Sequence, residues 1–453
     1  MGSLFTALRN TGYSMRVFER AMSVVQGNVT NASTPGYARQ QQALAAMRFD
    51  LDSGLPGGVM SAGTIDSRSH YADRMVRQRL ETYGEADERT RQLTRLEPVF
   101  DIADGSGLNA ALNRFFQSAL ALTIAPNDTS ARKVLLERAA DAAASFNAVS
   151  EGIGGARSSA QQALVEKTGQ INRIAAEIAN VNQQFRNDFR AQEDPGLQSR
   201  LNNLLEDLSA LVNTTVLRAE DGSATVYLGG ESLLVIGDRQ YLVNADTGGT
   251  QSRLLDWEGN DLTSKVRSGA IAALLELENA TLPGYQSRID RLAEEFASQV
   301  NALLAGGVDL NGQPPPSSLF LYDPGLGAAR TLRTAAMAPA ELALADPARP
   351  GGNDIALHLA ALAKSPAVDG FSFSQYYGAL AADAGRALSS SREDLRTQEN
   401  LLSQAKSLRD EAQAVDLNEE ALLLLQYQRA YEAAAKLVRA LDEMTQTALS
   451  MVR

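Results

Sequence analysis

The sequence predicts a mainly α-helical protein with long terminal coiled-coil helices, a central helical bundle and a small antiparallel β insertion that gives the outer part an α+β character. Both ends of the chain carry apolar residues at alternating spacings of three and four, which keeps their side chains on one side of a helix. Residues 214–258 instead carry short apolar runs separated by glycine-containing pairs, a pattern typical of β-hairpins.

The first predicted helix covers residues 3–31. It ends before Thr34-Pro35-Gly36, because proline disfavours helical geometry in the preceding residue and glycine permits a tight turn. A continuous apolar line is the part of a helix that packs against a partner helix. The apolar line of this helix consists of Leu4, Leu8, Thr11, Met15, Phe18, Met22, Val25 and Val29.

The last predicted helix follows Val415-Asp416-Leu417-Asn418, with Asn418 as the expected cap. Since both apolar lines continue to the ends of the sequence, where most chains fray, we expect the two helices to form an inner coiled layer and an assembly interface. A simple intramolecular helical hairpin is the alternative. We expect Leu441→Asp to block assembly while leaving the monomer folded. The apolar line of this helix consists of Tyr427, Ala430, Ala434, Leu437, Leu441, Met444, Ala448 and Met451.

The pattern in the middle of the chain predicts further helices. Ser130 is the expected cap of a long one, and Gly152, Gly154 and Gly155 are expected to interrupt it. Residues 37–65 are expected to be extended or loop, because four glycines prevent a long regular element. The predicted central helices are 69–97, 108–123, 130–151, 157–190, 197–212, 268–304 and 374–413, and the predicted strands are 214–219, 225–228, 232–236 and 240–243.

These elements suggest a nested domain organisation, in which distant parts of the sequence cover each other's apolar surfaces. The expected parts are a terminal coiled-coil layer (1–65 plus 414–453), a central helical domain (66–213 plus 266–413), a small β subdomain (214–265) and a proline-rich loop segment (305–366).

Composition excludes several classes of function. The net charge of -12 disfavours a nucleic-acid partner, and no apolar run is long enough for a transmembrane helix. The absence of cysteine excludes disulfides and thiolate catalysis, and two histidines are too few for a multi-histidine metal site. We therefore expect no enzymatic activity, no cofactor and no membrane insertion.

The segment from Gln26 to Gln40 resembles the signature of bacterial flagellar rod, hook and hook-associated proteins, which reads approximately Asn-Ile-Ala-Asn-x-x-Thr-Pro-Gly-Tyr-x-Arg-Gln. Thr30 departs from the usual alanine. The segments 415–420, 426–428 and 431–438 are similar to the closing helix of the same family, with Asp416 and Asn418 in swapped order. The matching residues of the first signature are Asn28, Asn31, Thr34, Pro35, Gly36, Tyr37, Arg39 and Gln40.

Two further segments, 106–116 and 128–132, resemble the hook-associated members in particular. The resemblance implies a structural protein of the hook–filament junction that is needed for filament assembly and is exported unfolded, without a cleaved signal peptide, by the flagellar type III apparatus. It would be located in the extracellular flagellum. The implied partners are hook protein subunits, the next hook–filament junction protein, copies of the chain in a ring, and an export chaperone at the C-terminal helix.

Three alternatives remain open from the sequence. The first is another axial subunit, from the rod or the hook. The second is a secreted helical adhesin or effector, for which the β insertion would be the recognition surface. The third, a wall-cutting hydrolase, would require a placed pair of carboxylates, and none stands out in the sequence.

Overall fold

The computed structural model describes residues 2–48, 57–100 and 106–451. Helices dominate these ranges, so the predicted mainly α-helical class with a small β part is confirmed. No helix in the described ranges combines the length and the apolar character that a membrane span requires. The helices are α1 (Gly2–Asn31), α2 (His70–Leu96), α3 (Gly107–Ile124), α4 (Thr129–Asn187), α5 (Pro195–Leu211), α6 (Ala270–Glu276), α7 (Leu282–Ala305), α8 (Ala328–Thr331), α9 (Asp354–Leu362), α10 (Phe373–Gln413) and α11 (Leu417–Ser450).

The strands are short and all pair antiparallel. One four-stranded sheet has the order β3-β4-β5-β6, and its turns place Gly222, Gly230 and Gly237 at positive φ, as the glycine-containing pairs predicted. The strands are β1 (Gln40–Ala46), β2 (Val59–Asp66), β3 (Thr214–Arg218), β4 (Ala224–Leu228), β5 (Ser232–Ile236), β6 (Arg239–Gln240), β7 (Asn244–Asp246), β8 (Arg253–Leu255), β9 (Phe320–Leu321) and β10 (Arg333–Thr334).

The segment 37–65, expected to be extended or loop, contains the β1–β2 hairpin. Its register shifts between Gln42 and Leu44, and Gly63 opposite this shift has a φ of 107°. A β-bulge often contains a glycine at positive φ, so Gly63 fits the bulge and the strand continues through it.

Helix α4 continues through the three glycines that were expected to interrupt it. That expectation was wrong because a helix tolerates glycine at a cost of about 1 kcal/mol each. Packing explains one of them, since a Cβ atom on Gly152 would lie 2.8 Å from a methyl carbon of Val99.

Two predicted helix caps are also corrected. The Asp128 carboxylate accepts a hydrogen bond from the backbone N–H of Ser130 (2.8 Å), so Asp128 precedes α4 in the capping role expected of Ser130. The Asp416 carboxylate accepts the N–H of Asn418 (2.8 Å) and caps α11 in place of Asn418.

The chain forms two compact units. The first contains residues 1–82, 171–242 and 399–453, and the second contains residues 83–170 and 243–398. Residues predicted as one β subdomain thus belong to different units, with β3 to β6 in the first and β7 to β8 in the second. The four-part division expected from the sequence stays a prediction.

The second unit has an aromatic core of interlocking rings. The segment 106–116 contributes Phe115 and Phe116 to this core. In the segment 128–132, the guanidinium of Arg132 is buried and donates to the backbone carbonyls of Pro126 (2.6 Å) and Leu342 (2.6 Å). Both segments that resembled hook-associated proteins therefore have packing roles in this unit.

Candidate functional site in the terminal helices

Helices α1 and α11 pack against each other in the first unit. The side chain of Asn28 near the end of α1 hydrogen-bonds to Glu420 at the start of α11, and Glu19 interacts with Tyr431 further along both helices. From the first contact to the second, the residue number decreases along α1 and increases along α11, so the two helices run antiparallel. The two ends of the sequence thus form one helical pair.

Asn28 is fully buried, and its side chain joins α1 to the chain that follows it. The Asn28 amide nitrogen donates to the carbonyl of Gln40 (2.8 Å) and to Glu420 Oε2 (3.0 Å). Its oxygen accepts the backbone N–H of Gln40 (2.9 Å) and the hydroxyl of Tyr37 (3.0 Å). All four hydrogen-bonding positions of this amide are therefore used.

The carboxylate of Glu420 is fully buried and carries its charge between two partners from the N-terminal part of the chain. Arg39 Nε donates to Glu420 Oε1 at 2.6 Å, and Asn28 binds the other oxygen. Arg39 Nη2 also lies 3.1 Å from the exposed carboxylate of Glu419. A buried charge needs such partners, because removing one of them leaves the other charge without compensation.

The charge of Glu420 acts on two neighbouring phenols. Burial and, to a smaller extent, the negative charge of Glu420 raise the pKa of Tyr37. The same two causes raise the pKa of Tyr427, which lies on α11. Both phenols therefore keep their protons at neutral pH, as the hydrogen bond that Tyr37 donates to Asn28 requires.

The turn after α1 is held on both sides. Gly36 has a φ of 74°, and a Cβ atom there would lie 2.3 Å from Asn203 Oδ1, so the position requires glycine. The amide of Asn203 donates to the carbonyl of Pro35 (3.0 Å), and Arg68 Nη2 donates to the carbonyl of Gly36 (2.8 Å). Thr34 receives the N–H of Tyr37 on its carbonyl (3.1 Å). The Thr-Pro-Gly-Tyr turn is thus a fixed structural element.

The second asparagine of the signature has a local role. Asn31 donates to the carbonyl of Gly27 (2.9 Å) within α1 and accepts from the hydroxyl of Thr34 (3.3 Å). Its partners all lie within four residues, in contrast to those of Asn28.

The predicted apolar line of α1 is not the line that is most buried in the single chain. Leu4, Leu8, Met15, Phe18 and Met22 are half-buried, Val25 is buried and Val29 is 45% exposed. The buried line consists of Ser14, Val17, Ala21, Val25 and Asn28. The hydrophobic pattern did not indicate this line because two of its members are polar.

Distant partners explain why those polar residues are buried. The Ser14 hydroxyl accepts the backbone N–H of Val59 (3.0 Å) in the β1–β2 hairpin, and Asn28 binds Gln40 and Glu420. Hydrogen bonds of this kind offset the cost of burying a polar group.

The predicted apolar line of α11 divides into two lines in the structure. Tyr427 and Leu441 are half-buried and Ala434 is buried, whereas Leu437 and Met444 are 57% and 56% exposed and Met451 is 80% exposed. An α-helix has 3.6 residues per turn, so a strict seven-residue repeat drifts by about 20° with each heptad. Leu437, Met444 and Met451 are one heptad apart and therefore move progressively away from the buried line. Which of these residues contact other copies stays a prediction.

Five of the exposed large apolar residues of α11 lie on one side of the helix, and we call this set the outer stripe. At 100° per residue they fall within an arc of about 120° on the helix. A stripe of large apolar side chains on a helix that is already paired on its other side is typical of a surface that packs against another molecule. The outer stripe consists of Leu422, Leu425, Leu437, Met444 and Met451.

Arg39 and Glu420 each belong to a family motif, but no pattern in the sequence predicts that they pair. Their separation of 381 positions hides the contact from any local pattern. Two features of the sequence could have indicated the pair. One is a glutamate in the first turn of an apolar helix, and the other is an arginine in a motif at the opposite end of the chain. Among the described residues, no group of three or more acidic or histidine side chains is placed to hold a metal ion.

Two family comparisons cover different parts of the chain. Residues 93–320, slightly more than half of the sequence, match the family described as the flagellar hook-associated protein FlgK helical domain. Residues 406–451, which include α11, match the C-terminal family of the flagellar basal body rod FlgEFG proteins.

Individual relatives agree with these matches. A protein of Bacillus subtilis, flagellar hook-associated protein 1, is 25% identical over 500 aligned residues that cover 98% of this chain and 97% of the relative. The protein of the same name from Salmonella typhimurium is 24% identical over 65% of this chain and 55% of its own length. The structure of the flagellar hook junction protein FlgK from Burkholderia pseudomallei has a TM-score of 0.65 at 14% identity, over 74% of this chain and 99% of that chain, and so shares the fold.

Proposed function

We propose, from the fact that this chain belongs to the FlgK family of flagellar hook-associated proteins, that it is a structural axial subunit at the junction between hook and filament and that filament assembly needs it. The observation that carries the proposal is the outer stripe of α11, which leaves large apolar side chains in water on an ordered, paired helix. A stable monomer gains nothing from such a surface, whereas an assembling subunit does.

The energetics favour packing of the outer stripe against neighbouring subunits. Full burial of one leucine or methionine side chain contributes about 1.5–3 kcal/mol. Leu437 and Met444 expose more than half of their surface, so a contact over this part of α11 recovers a large share of that amount for each. Several such contacts around one subunit offset the cost of ordering the partners.

The proposed partners follow from an axial position. Copies of the chain would form a ring, because a contact between two different faces of one protein closes into a ring when its rotation permits. Hook protein subunits would lie on one side of this ring and the next hook–filament junction protein on the other. We also propose that an export chaperone covers α11 before export, and that the chain is then located in the extracellular flagellum.

One observation favours a second candidate, a rod or hook subunit. The C-terminal match, which contains α11, is to the family of the rod FlgEFG proteins. The longer match over residues 93–320 is to the hook-associated family and favours the junction. For the secreted adhesin, no observation adds support.

Immunogold labelling of isolated flagella tests the proposed position. An epitope inserted between Gly248 and Gly249, both exposed in the β7–β8 loop, should leave the packed units intact. We expect gold particles at the boundary between hook and filament, in cells that still swim. Label along the hook or in the rod would support the second candidate, and unlabelled flagella would overturn the axial assignment. Cells with the untagged chain are the control.

A further inference from the structure

We propose that the buried carboxylate of Glu420 fixes the register of α11 against α1. Glu420 is the residue of α11 whose buried charge is bound by Asn28 and Arg39 from the N-terminal part of the chain. The inference concerns the isolated subunit and does not depend on where that subunit assembles.

The apolar contact between the helices provides little information about register. Its buried members are small and similar, with Val17, Ala21 and Val25 on α1 and Ala434 on α11. Along α1, a shift by one helical turn replaces one of these small apolar side chains by another. Uniform apolar contacts of this kind permit alternative alignments, and a single buried polar group is the device that selects one of them.

The partners of Glu420 are held in place independently of α11. Both polar atoms of Asn28 are bound to the backbone of Gln40, and the backbone N–H of Arg39 donates to the carbonyl of Gln413 at the end of α10 (2.9 Å). The carbonyl of Arg39 accepts the N–H of Ser67 (2.9 Å). Since backbone contacts fix both Asn28 and Arg39, these two side chains can bind the carboxylate in only one position.

A shift by one turn moves Glu420 by about 5.4 Å. The contacts at 2.6 and 3.0 Å would then be lost while Arg39 and the carboxylate remain largely buried, a strongly destabilising state. The other polar contact described along the pair, between Glu19 and Tyr431, is at the surface and imposes a much weaker constraint.

A competing explanation is that the short connection between α10 and α11 sets the register. The connection comprises residues 414–416, and a fully extended stretch of three residues spans about 10 Å, enough to permit a shift of one turn. The two explanations differ in what happens when the charges are removed but the chain connection is kept.

Distance measurements between two spin labels distinguish them. The chain has no cysteine, so Arg9→Cys with Arg429→Cys places labels only on exposed positions of α1 and α11. These positions are offset along the helix axis, so a shift of one turn changes the distance by about 5 Å. The full-length chain should give one narrow distance distribution.

The decisive variant is Arg39→Met with Glu420→Met, which replaces both charges by apolar side chains of similar length. We expect a second distance about 5 Å from the first, or a distribution at least twice as wide, with helix content unchanged. The matched control is Arg409→Met with Glu206→Met, which removes another shielded ion pair of the first unit (2.5 Å) and should keep the single distance. A single unchanged distance in the decisive variant would overturn the proposal.

If the double methionine variant no longer forms the helix pair, the same distance measurement is made on Glu420→Gln. This variant keeps an acceptor for Asn28 and removes only the charge. A broadened distribution in Glu420→Gln supports the proposal, and a single native distance refutes it.

Discussion

Glu420 Oε2 lies 3.0 Å from the side-chain nitrogen of Asn28, although 392 positions separate the two residues in the sequence. Asn28 belongs to the N-terminal family signature and Glu420 to the C-terminal one. In this chain each signature therefore supplies part of one buried hydrogen-bonded cluster. These residues therefore have a structural role: they stabilise the contact between the N-terminal part of the chain and α11.

The two asparagines of the signature should differ in their effect on stability. Asn28→Ala leaves the buried backbone of Gln40 and the carboxylate of Glu420 with fewer partners, which we expect to cost about 2–3 kcal/mol. Asn31→Ala removes only local contacts and should cost less than about 1 kcal/mol. Urea denaturation followed by circular dichroism measures both; equal losses would contradict the role assigned to Asn28.

Acidic residues on the outer stripe should block assembly without unfolding the subunit. Leu437→Asp with Met444→Asp places charges on exposed positions, so we expect an unchanged melting temperature and no filaments. Gln446→Asp, on the other side of α11, is the control and should assemble normally. Leu441→Asp is a less selective test than the sequence suggested, because Leu441 is half-buried in the subunit. Electron microscopy of complemented cells provides the readout, and normal filaments with the double variant would refute the role of the stripe.

Removing the charge of Glu278 should change how stability depends on pH. Burial raises the pKa of this fully buried carboxyl, although Arg157 Nε lies 3.3 Å away and favours the charged form. The folded protein thus binds the proton more tightly than the unfolded chain does. Stability from this group increases as pH falls through the raised pKa and is complete below the ordinary carboxyl pKa.

Glu278→Gln should therefore be more stable than the natural protein at pH 8, and the difference should shrink towards pH 5. Thermal unfolding at several pH values measures this difference. Glu151→Gln, which removes one exposed carboxylate of the same unit, is the control for net charge. Parallel pH profiles for the natural protein and Glu278→Gln would contradict the assignment.

Two glycines of α4 should respond differently to alanine. A Cβ atom on Gly154 would meet nothing within 4 Å, so Gly154→Ala should stabilise the protein by about 0.5–1 kcal/mol through its helix propensity. Gly152→Ala would press against Val99 at 2.8 Å and should bring no gain. Differential scanning calorimetry of the two variants measures the contrast, and a larger gain for Gly152→Ala would contradict the close packing of Gly152 against Val99.

The sequence predicted those features that depend on local pattern. The terminal helices, the hairpin turns at Gly222 and Gly237, and the resemblance to flagellar axial proteins are confirmed. The expectation of a non-enzymatic protein is confirmed by the relatives, which are structural flagellar proteins. Each of these features is encoded within a few turns of helix or a few residues of loop.

Features that depend on distant partners could not be predicted in this way. The buried line of α1 contains Ser14 and Asn28, whose partners come from the β1–β2 hairpin and from α11. The glycine at position 152 of α4 is explained by the neighbouring Val99, because a Cβ atom there would lie 2.8 Å from a methyl carbon of Val99. In each case the local preference of the residue was outweighed by a contact that only the folded chain provides.

Deletion of the gene, followed by electron microscopy of the cells and analysis of the medium, tests the junction role most directly. The proposed function predicts hooks without filaments and flagellin released into the medium, with both defects reversed by the natural chain. Cells that lack hooks as well would place the protein in the rod or the hook. Normal filaments on the deletion strain would contradict the axial role altogether.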